Sequence, residues 1–453
     1  MHERTQQVIA RTLFVLCCAV PLFVIIVWIT LSNTSWYQSR VAASLRAEIQ
    51  KELGLLVQFD HHRHPAPDRW IFSNLRLSHP ETSARIGRIR EAHWVKEDGR
   101  SRMLLQQPEI EAKQLSMLWQ SVHEHLLCRP YKIKNPVAIS ANDLTIQSGN
   151  HAFTLSEIDA SISNSSDISS LTLLLQVADG LTHSPISMDV QRDRTAKDIG
   201  FNPPVTTISV DTNGTPIPCS ALIDFCPTLE SLGRSATFSG QVQWKTQGGS
   251  WSVDLGNSRF EQIALDKLFE SQAHRLSGTA TIQLERCLVA PSKNKSDITG
   301  IFFAEKGLIG KTLLQSAGDN LPLHLLETQL WNQFSGDLPY DVISIGFNVN
   351  GTQLQLEGLC HQRRGYENYP TGVAIVLNGY PLAQSSNRPV ESVRLLTAIA
   401  PTHSVPVLLS QQTNWLTKVL IPPSRPLPVN QTAPPRIRSA GVWQGGPTID
   451  QPQ

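Results

Sequence analysis

Catalytic signatures are missing from these 453 residues. No G-x-S-x-G elbow, no D-x-D pair and no C-x-x-C occurs. Their absence counts against an α/β-hydrolase, a sugar-nucleotide transferase, a zinc ribbon and a thioredoxin-type centre. Charge is scarce as well: Asp, Glu, Lys and Arg make up 17% of the chain, below the usual share of about a quarter. The 39 basic and 38 acidic residues leave a net charge of +1, so no global field steers nucleic acid or an acidic substrate. Cysteine is sparse. Cys17 and Cys18 sit in an apolar run, and Cys128, Cys219, Cys226, Cys287 and Cys360 remain, an odd set that cannot all pair within one chain. A Cys219–Cys226 bridge across a short helix and buried free thiols both fit the spacing.

Three partial motifs fail on inspection. Gly307-Leu-Ile-Gly310-Lys311-Thr312 looks like the end of a phosphate-binding loop, but Glu305 stands where the opening glycine belongs and its carboxylate opposes phosphate. A strand-to-helix turn is the better reading. His123-Glu124-His125 begins like a zinc-protease helix, yet Leu127 occupies the second ligand position. His61-His62-Arg63-His64 precedes Pro65 and Pro67 and reads as a solvated loop. No catalytic residue, metal or cofactor is expected.

What the sequence does contain begins with residues 12–31, TLFVLCCAVPLFVIIVWITL, twenty residues without a charge. At about 1.5 Å per residue a helix of that length spans about 30 Å, a bilayer's hydrocarbon core. Arg11 flanks one end; Trp36 and Tyr37 flank the other, where interfacial aromatics belong. The run is long for a signal peptide and no A-x-A follows it. These features predict an uncleaved anchor with a short cytoplasmic tail and everything beyond it outside.

Next, Val41, Leu45, Ile49 and Leu53 recur every four residues and mark a helix stopped by Gly54. Short strands follow at Leu55–Phe59, Trp70–Leu77, Arg85–Val95 and Met103–Ile110, then a helix over Lys113–Leu127. Residues 136–210 are strand-like throughout. A helix is predicted over Ala221–Leu232. The strands Thr237–Lys245 and Trp251–Leu255 are joined through Gly248-Gly249. A short helix at Ile263–Ser271 precedes strands at Leu276–Leu288 and Ile298–Glu305, and a helix at Lys311–Ala317. Strands at Val342–Val349 and Gln353–Leu359 flank Asn350-Gly351; another is Val373–Leu377, and Val390–Ala400 is read as helix. No βαβ alternation is visible, so a parallel sheet is not expected. Beyond Leu420 the Pro-rich chain predicts disorder.

The order anchor, Arg40-Val-Ala-Ala-Ser-Leu45, Glu52-Leu-Gly-Leu-Leu-Val57, Trp70-Ile-Phe-Ser-Asn-Leu-Arg-Leu-Ser-His-Pro80, Arg85-Ile-Gly-Arg-Ile-Arg90 and Pro108-Glu-Ile-Glu-Ala-Lys-Gln-Leu115 resembles the start of AsmA-like bacterial envelope proteins, the superfamily that includes TamB-type members. A second patch is similar to the hairpins and small helices of that family's C-terminal regions: Phe238-Ser-Gly-Gln-Val242, Trp251-Ser-Val-Asp-Leu255, Ile263-Ala-Leu-Asp-Lys-Leu268, Leu276–Leu284 and Gly307–Leu314. The two patches cover about half the chain and consist of hydrophobic patterning rather than fixed motifs.

The resemblance implies an α+β fold, predominantly antiparallel β, with a transmembrane helix followed by an elongated curved sheet or β-groove and short flanking helices. The expected divisions are a tail (1–11), the anchor (12–31), an AsmA-like α+β segment (38–128), a β-rich extracytoplasmic domain (129–420) and a disordered tail (421–453). It further implies a non-enzymatic inner-membrane protein acting in lipid transport or outer-envelope assembly, its partners the bilayer, phospholipid acyl chains and other envelope proteins. Candidate groove residues are Phe238, Val242, Trp244, Ile282 and Leu284. The rivals are a tethered scaffold binding a protein or cell-wall polymer, and a lumenal glycosyltransferase.

Overall fold

Period-two hydrophobicity gives strand after strand in this chain. The computed structural model describes residues 12–399 apart from 33, 81, 98, 130–134, 149–150, 178–183, 196–202, 224–226, 271, 294 and 327–335. Arg11, the 1–11 tail and the expected 421–453 tail therefore lie outside the described residues.

Residues 12–32 are helical, but not as one α-helix. A π-helical turn, Val15–Ala19, precedes the α-helix Val20–Ser32. Pro21 has no N–H to return to the carbonyl four residues back, and the adjacent turn closes instead through the wider bond from Val20 N–H to the Val15 carbonyl. Among the described residues no helix is long and apolar enough to cross a membrane, which corrects the expectation of one uninterrupted span.

A docking helix, Ser35–Leu53, comes next. Thr34 caps it by accepting from Tyr37 N–H, and Gly54 ends it in the left-handed region at φ 73°. Its buried Ala42, Leu45 and Ile49 pack on Val57, Phe59, Phe72, Leu75, Ile89 and Ala92.

Strands β1 (Leu56–Gln58), β2 (His61–Ala66), β3 (Arg69–Ser78), β4 (Arg85–Glu97) and β5 (Arg100–Glu111) follow. After a helical crossover come β6 (Val137–Ser148), β7 (His151–Asn164), β8 (Ile168–Val177), β9 (Ile186–Asp193) and β10 (Val205–Asp211). The third group is β11 (Ile217–Pro218), β12 (Thr237–Ser239), β13 (Gln241–Gln247), β14 (Ser250–Asp254), β15 (Ser258–Ala264), β16 (Thr279–Ala290) and β17 (Lys295–Ile309). The last is β18 (Leu323–Leu325), β19 (Leu338–Asn350), β20 (Gln353–Gly358), β21 (Val373–Leu377), β22 (Tyr380–Ser385) and β23 (Val390–Glu391). All belong to one open, antiparallel-rich sheet. It passes the expected division at 128/129 without a break.

Several sequence expectations need correction. His61–Ala66 is an edge strand paired with β3, not a solvated loop, and its irregularity between Arg63 and Ala66 accommodates Pro65. One pairing, β5 with β6, is parallel. It requires a crossover, supplied by a 3-10 turn (Ala112–Gln114), an α-helix (Leu115–Val122) and a π-helical turn (His123–Leu127). Thr237–Lys245 is not one strand: Gly240, at φ 125°, separates β12 from β13, and a Cβ there would lie 2.5 Å from Ser258 Cα. In place of a helix over Ala221–Leu232, the described residues form two 3-10 turns, Cys219–Leu222 and Pro227–Leu232. The helix at Ile263–Ser271 shrinks to Leu265–Leu268, since β15 pairs with β16 as far as Ala264. Val390–Glu391 pairs with β20, so the last helix is Val393–Ile399.

Gly54 tests how the docking helix is fixed. Its φ is positive, and an added Cβ would meet the His125 ring at 2.2 Å. Gly54→Ala is expected to lower stability by about 2 kcal/mol or more, read as a shift in urea midpoint at constant m-value. An unchanged midpoint would show that the two helices are not locked there.

Candidate functional site

Residues directly opposite one another on neighbouring strands present their side chains to the same face. Followed through the register, one row reads Trp70, Trp94, Met103, Ile139, Ala160, Leu173, Met188, Val210 and Val242 from β3 to β13. A second reads Val137, Ile162, Leu171, Val190, Ile208, Trp244, Val253 and Val289. A third, in the C-terminal half, reads Ile217, Phe238, Phe260, Ile282, Phe302 and Ile345. Every member is apolar.

Irregular backbone keeps that face apolar along each strand. Asn74, Gln107 and Glu157 sit inside β3, β5 and β7 with φ of 53°, 48° and 48°. At each one the inward phase shifts by one residue. Trp70 and Phe72 give way to Leu75 and Leu77, Leu105 to Pro108 and Ile110, and Phe153 and Leu155 to Ile158 and Ile162. The β3–β4, β4–β5 and β6–β7 registers run on unshifted past these residues.

Helices cover this face at both ends of the sheet. The docking helix buries Phe72, Ala92 and Trp94 at one end. At the other, Leu313 and Leu314 of the helix Lys311–Asn320 and Leu395 of Val393–Ile399 join a core with Ile343, Leu354, Leu356 and Ile375. Between these ends Ile139, Leu173, Met188, Val210 and Val242 stay half-buried.

The five candidate groove residues share these rows or the one beside them. Val242, Phe238 and Ile282 are half-buried. Trp244 and Leu284 are each only 8% exposed, so they belong to the packed interior rather than to an open lining. Trp244 stacks on Trp251 at 5.3 Å and packs with Leu127 of the crossover. Phe238 packs against Phe260 at 5.0 Å. Of the interface residues, Trp36 is 65% exposed, with the Arg40 guanidinium 5.5 Å from its ring, and Tyr37 is 36% exposed.

The opposite face is polar. Asp189, Ser209, Gln243 and Asp254 line up across it, and beside them Ser187, Asp211 and Gln241. Together with Glu285, Arg286 and Asp297 they line a concavity of about 640 Å³. Val210 and Val242, at the end of the first apolar row, border the same hollow. Its aspartates are occupied internally: Asp211 accepts from Asn213 N–H and from Gln241, Asp254 from Gly256 N–H, and Asp189 from Thr172. Asp297 pairs with Arg286 at 3.6 Å.

The sequence reading missed a buried polar seam under the crossover. His123 is 1% exposed. Arg192 Nη1 lies 3.5 Å from its Nε2, and Cys128 Sγ is 3.7 Å from its Nδ1. A guanidinium only donates, so Nε2 is the acceptor and the ring is neutral. Burial, and secondarily Arg192, push its pKa down to about 4. Burial raises the Cys128 thiol against the pull of Arg192 and Arg194. The signal was present in β9, where Ile186, Met188 and Val190 alternate into Arg192. Among the described residues no three His, Cys, Asp or Glu side chains gather to hold a metal. Cys219 is a buried free thiol, and Cys226 lies outside the described residues.

The fold and this face define a class: an open antiparallel sheet, apolar on one side and closed by helices at its ends. No family model, curated protein or solved structure matches the chain.

His123 gives a pH dependence of known sign. Unfolded, it protonates near its ordinary pKa of about 6.5; folded, only near 4. The unfolded chain therefore binds the extra proton between those values, and stability falls as pH drops from about 6.5 to 4, by at most about 3 kcal/mol. His123→Gln should remove that part of the slope in urea titrations run across the same range. An identical slope in the variant would show that His123 does not carry it.

Proposed function

We propose that the protein is a membrane-anchored, non-enzymatic lipid-handling protein of the AsmA-like kind, in which the half-buried stretch of the first apolar row holds acyl chains. One observation carries the reading: the row from Trp70 to Val242 crosses nine strands without a polar residue, and its central members are half-buried. An apolar surface left partly in water gains about 0.8 kcal/mol for each CH₂ it helps to bury, so a tail lying over several such side chains is held firmly. The anchor is residues 12–32, helical on both sides of the π-turn, with Leu13, Phe14, Leu16, Leu22 and Phe23 each more than 60% exposed. Side chains of that kind do not stay in water when a bilayer is available. The Trp36–Arg40 pair beside them suits the headgroup region. The inner membrane, with the sheet on its outer side, is the proposed location.

A tethered scaffold is the second reading. It is favoured by the helix-covered ends of the apolar face and by the polar concavity on the other side, which fit a body that recognises a protein or polymer through polar groups.

The two readings separate in one measurement. Full-length protein purified in detergent should carry phospholipid, quantified by mass spectrometry, above a detergent-only control. Val242→Asp, a charge at the β13 end of the half-buried row, should cut that lipid several-fold without changing the circular dichroism spectrum. Lipid at the control level in the wild type would sink the acyl-chain reading and leave the scaffold.

A further inference from the structure

On the apolar face, strand β9 presents Ile186, Met188 and Val190, then Arg192, with Arg194 just past the strand's end. The same face thus changes from hydrocarbon to guanidinium within about 7 Å, the two-residue repeat of a strand. Neighbouring strands carry the change sideways. Asn164, Ser169, Arg192, Thr206 and Thr246 form a polar row directly beside the Val137-to-Val289 row.

The cations in this seam are incompletely answered. Arg192 Nη1 donates to Thr206 Oγ1 at 2.9 Å. Arg194 Nη2 donates to Ser169 Oγ at 3.0 Å and to the Leu127 carbonyl at the end of the crossover. Among the described residues neither guanidinium forms an ion pair with a carboxylate. Arg194 Nη1 is buried with no hydrogen-bond partner, and so is Trp244 Nε1 in the adjoining apolar row. A buried unpaired donor costs about 1–3 kcal/mol. A helix C-terminus returns only about half a negative charge against two full positive ones. Burial first and the neighbouring Arg192 second disfavour the charged form of Arg194, with Cys128 and Asp167 offsetting them only in part. An anion resting here would answer the two guanidinium charges.

We propose that this seam seats the charged group of an anionic acyl lipid, its chain leaving along β8 over the half-buried Leu171 and Leu173 toward Met188. The proposal rests on the acyl-chain reading above and adds a choice of headgroup. A fatty-acid carboxylate and a glycerophospholipid phosphodiester share the required chemistry, since a guanidinium grips either through paired N–H donors. If the two arginines serve only to fasten the crossover onto the sheet, the headgroup makes no difference.

Full-length protein in detergent micelles is titrated with dioleoylphosphatidylglycerol, dioleoylphosphatidylcholine and oleate, and binding is read by native mass spectrometry. The wild type is expected to hold phosphatidylglycerol about tenfold more tightly than phosphatidylcholine of identical chains. That preference should shrink as salt is raised and disappear in Arg192→Gln. Oleate competing as well as phosphatidylglycerol assigns a carboxylate, and phosphatidylglycerol alone a phosphodiester; either supports the charged seat. Because Arg192→Gln also removes the bond to Thr206, the wild-type headgroup comparison is decisive and needs no variant. Equal binding of the two phospholipids overturns the seat and leaves the apolar surface in place. Binding of none of the three overturns both.

Discussion

Facing is the constraint on which everything else in this sheet depends. A strand has a side-chain period of two, so one extra residue sends every later side chain to the wrong side. This chain places its apolar residues out of phase within β3, β5 and β7 and restores them with a left-handed residue in each. Only two of the usual tolerances help, since Asn accepts that backbone readily and Gln and Glu do so less often. The surrounding ladders hold Gln107 and Glu157 where their own preference would not. In return one unbroken apolar face is kept across many strands.

Covering that face is the second problem, and it is solved unevenly. Helices close the two ends of the sheet, where the docking helix and the pair Lys311–Asn320 and Val393–Ile399 lie on the apolar rows. Across the middle the crossover reaches the sheet through Leu127 and Trp119 and is held by Arg194, by Asn164 Nδ2 on the Leu126 carbonyl, and by Ser121 Oγ on the Leu53 carbonyl. The last of these ties the crossover to the docking helix. The polar face, by contrast, answers charges through local hydrogen bonds and ion pairs such as Arg76–Asp60, Arg259–Glu261 and Arg286–Asp297.

Much of this was legible from local pattern. The docking helix, its glycine stop, the hairpin at Gly248-Gly249 and the strand Val373–Leu377 all follow from periodicity and turn chemistry, because those signals act over a few residues. Errors came where a distant partner overrode the local signal. His61–Ala66 is polar and proline-bearing, yet β3 recruits it as an edge. Thr237–Lys245 looks continuous, yet β12 and β13 answer to different neighbours, β15 and β10. Among the candidate lining residues, Phe238, Val242, Trp244 and Ile282 fall on the apolar rows and Leu284 opposite Ser258 and Gly300, and alternation had no means of telling a covered position from an open one.

By itself the sequence determined the alternation, the apolar run before Ser35 and the absence of any assembled catalytic motif, each a property of neighbours along the chain. The tertiary structure decided which rows became continuous, that β5 and β6 pair in parallel, and that Arg192 and His123 meet 69 residues apart. Register and coverage depend on contacts between segments far apart in the chain. Their free energy comes from surfaces that exist only once the sheet has formed, so no local pattern encodes them.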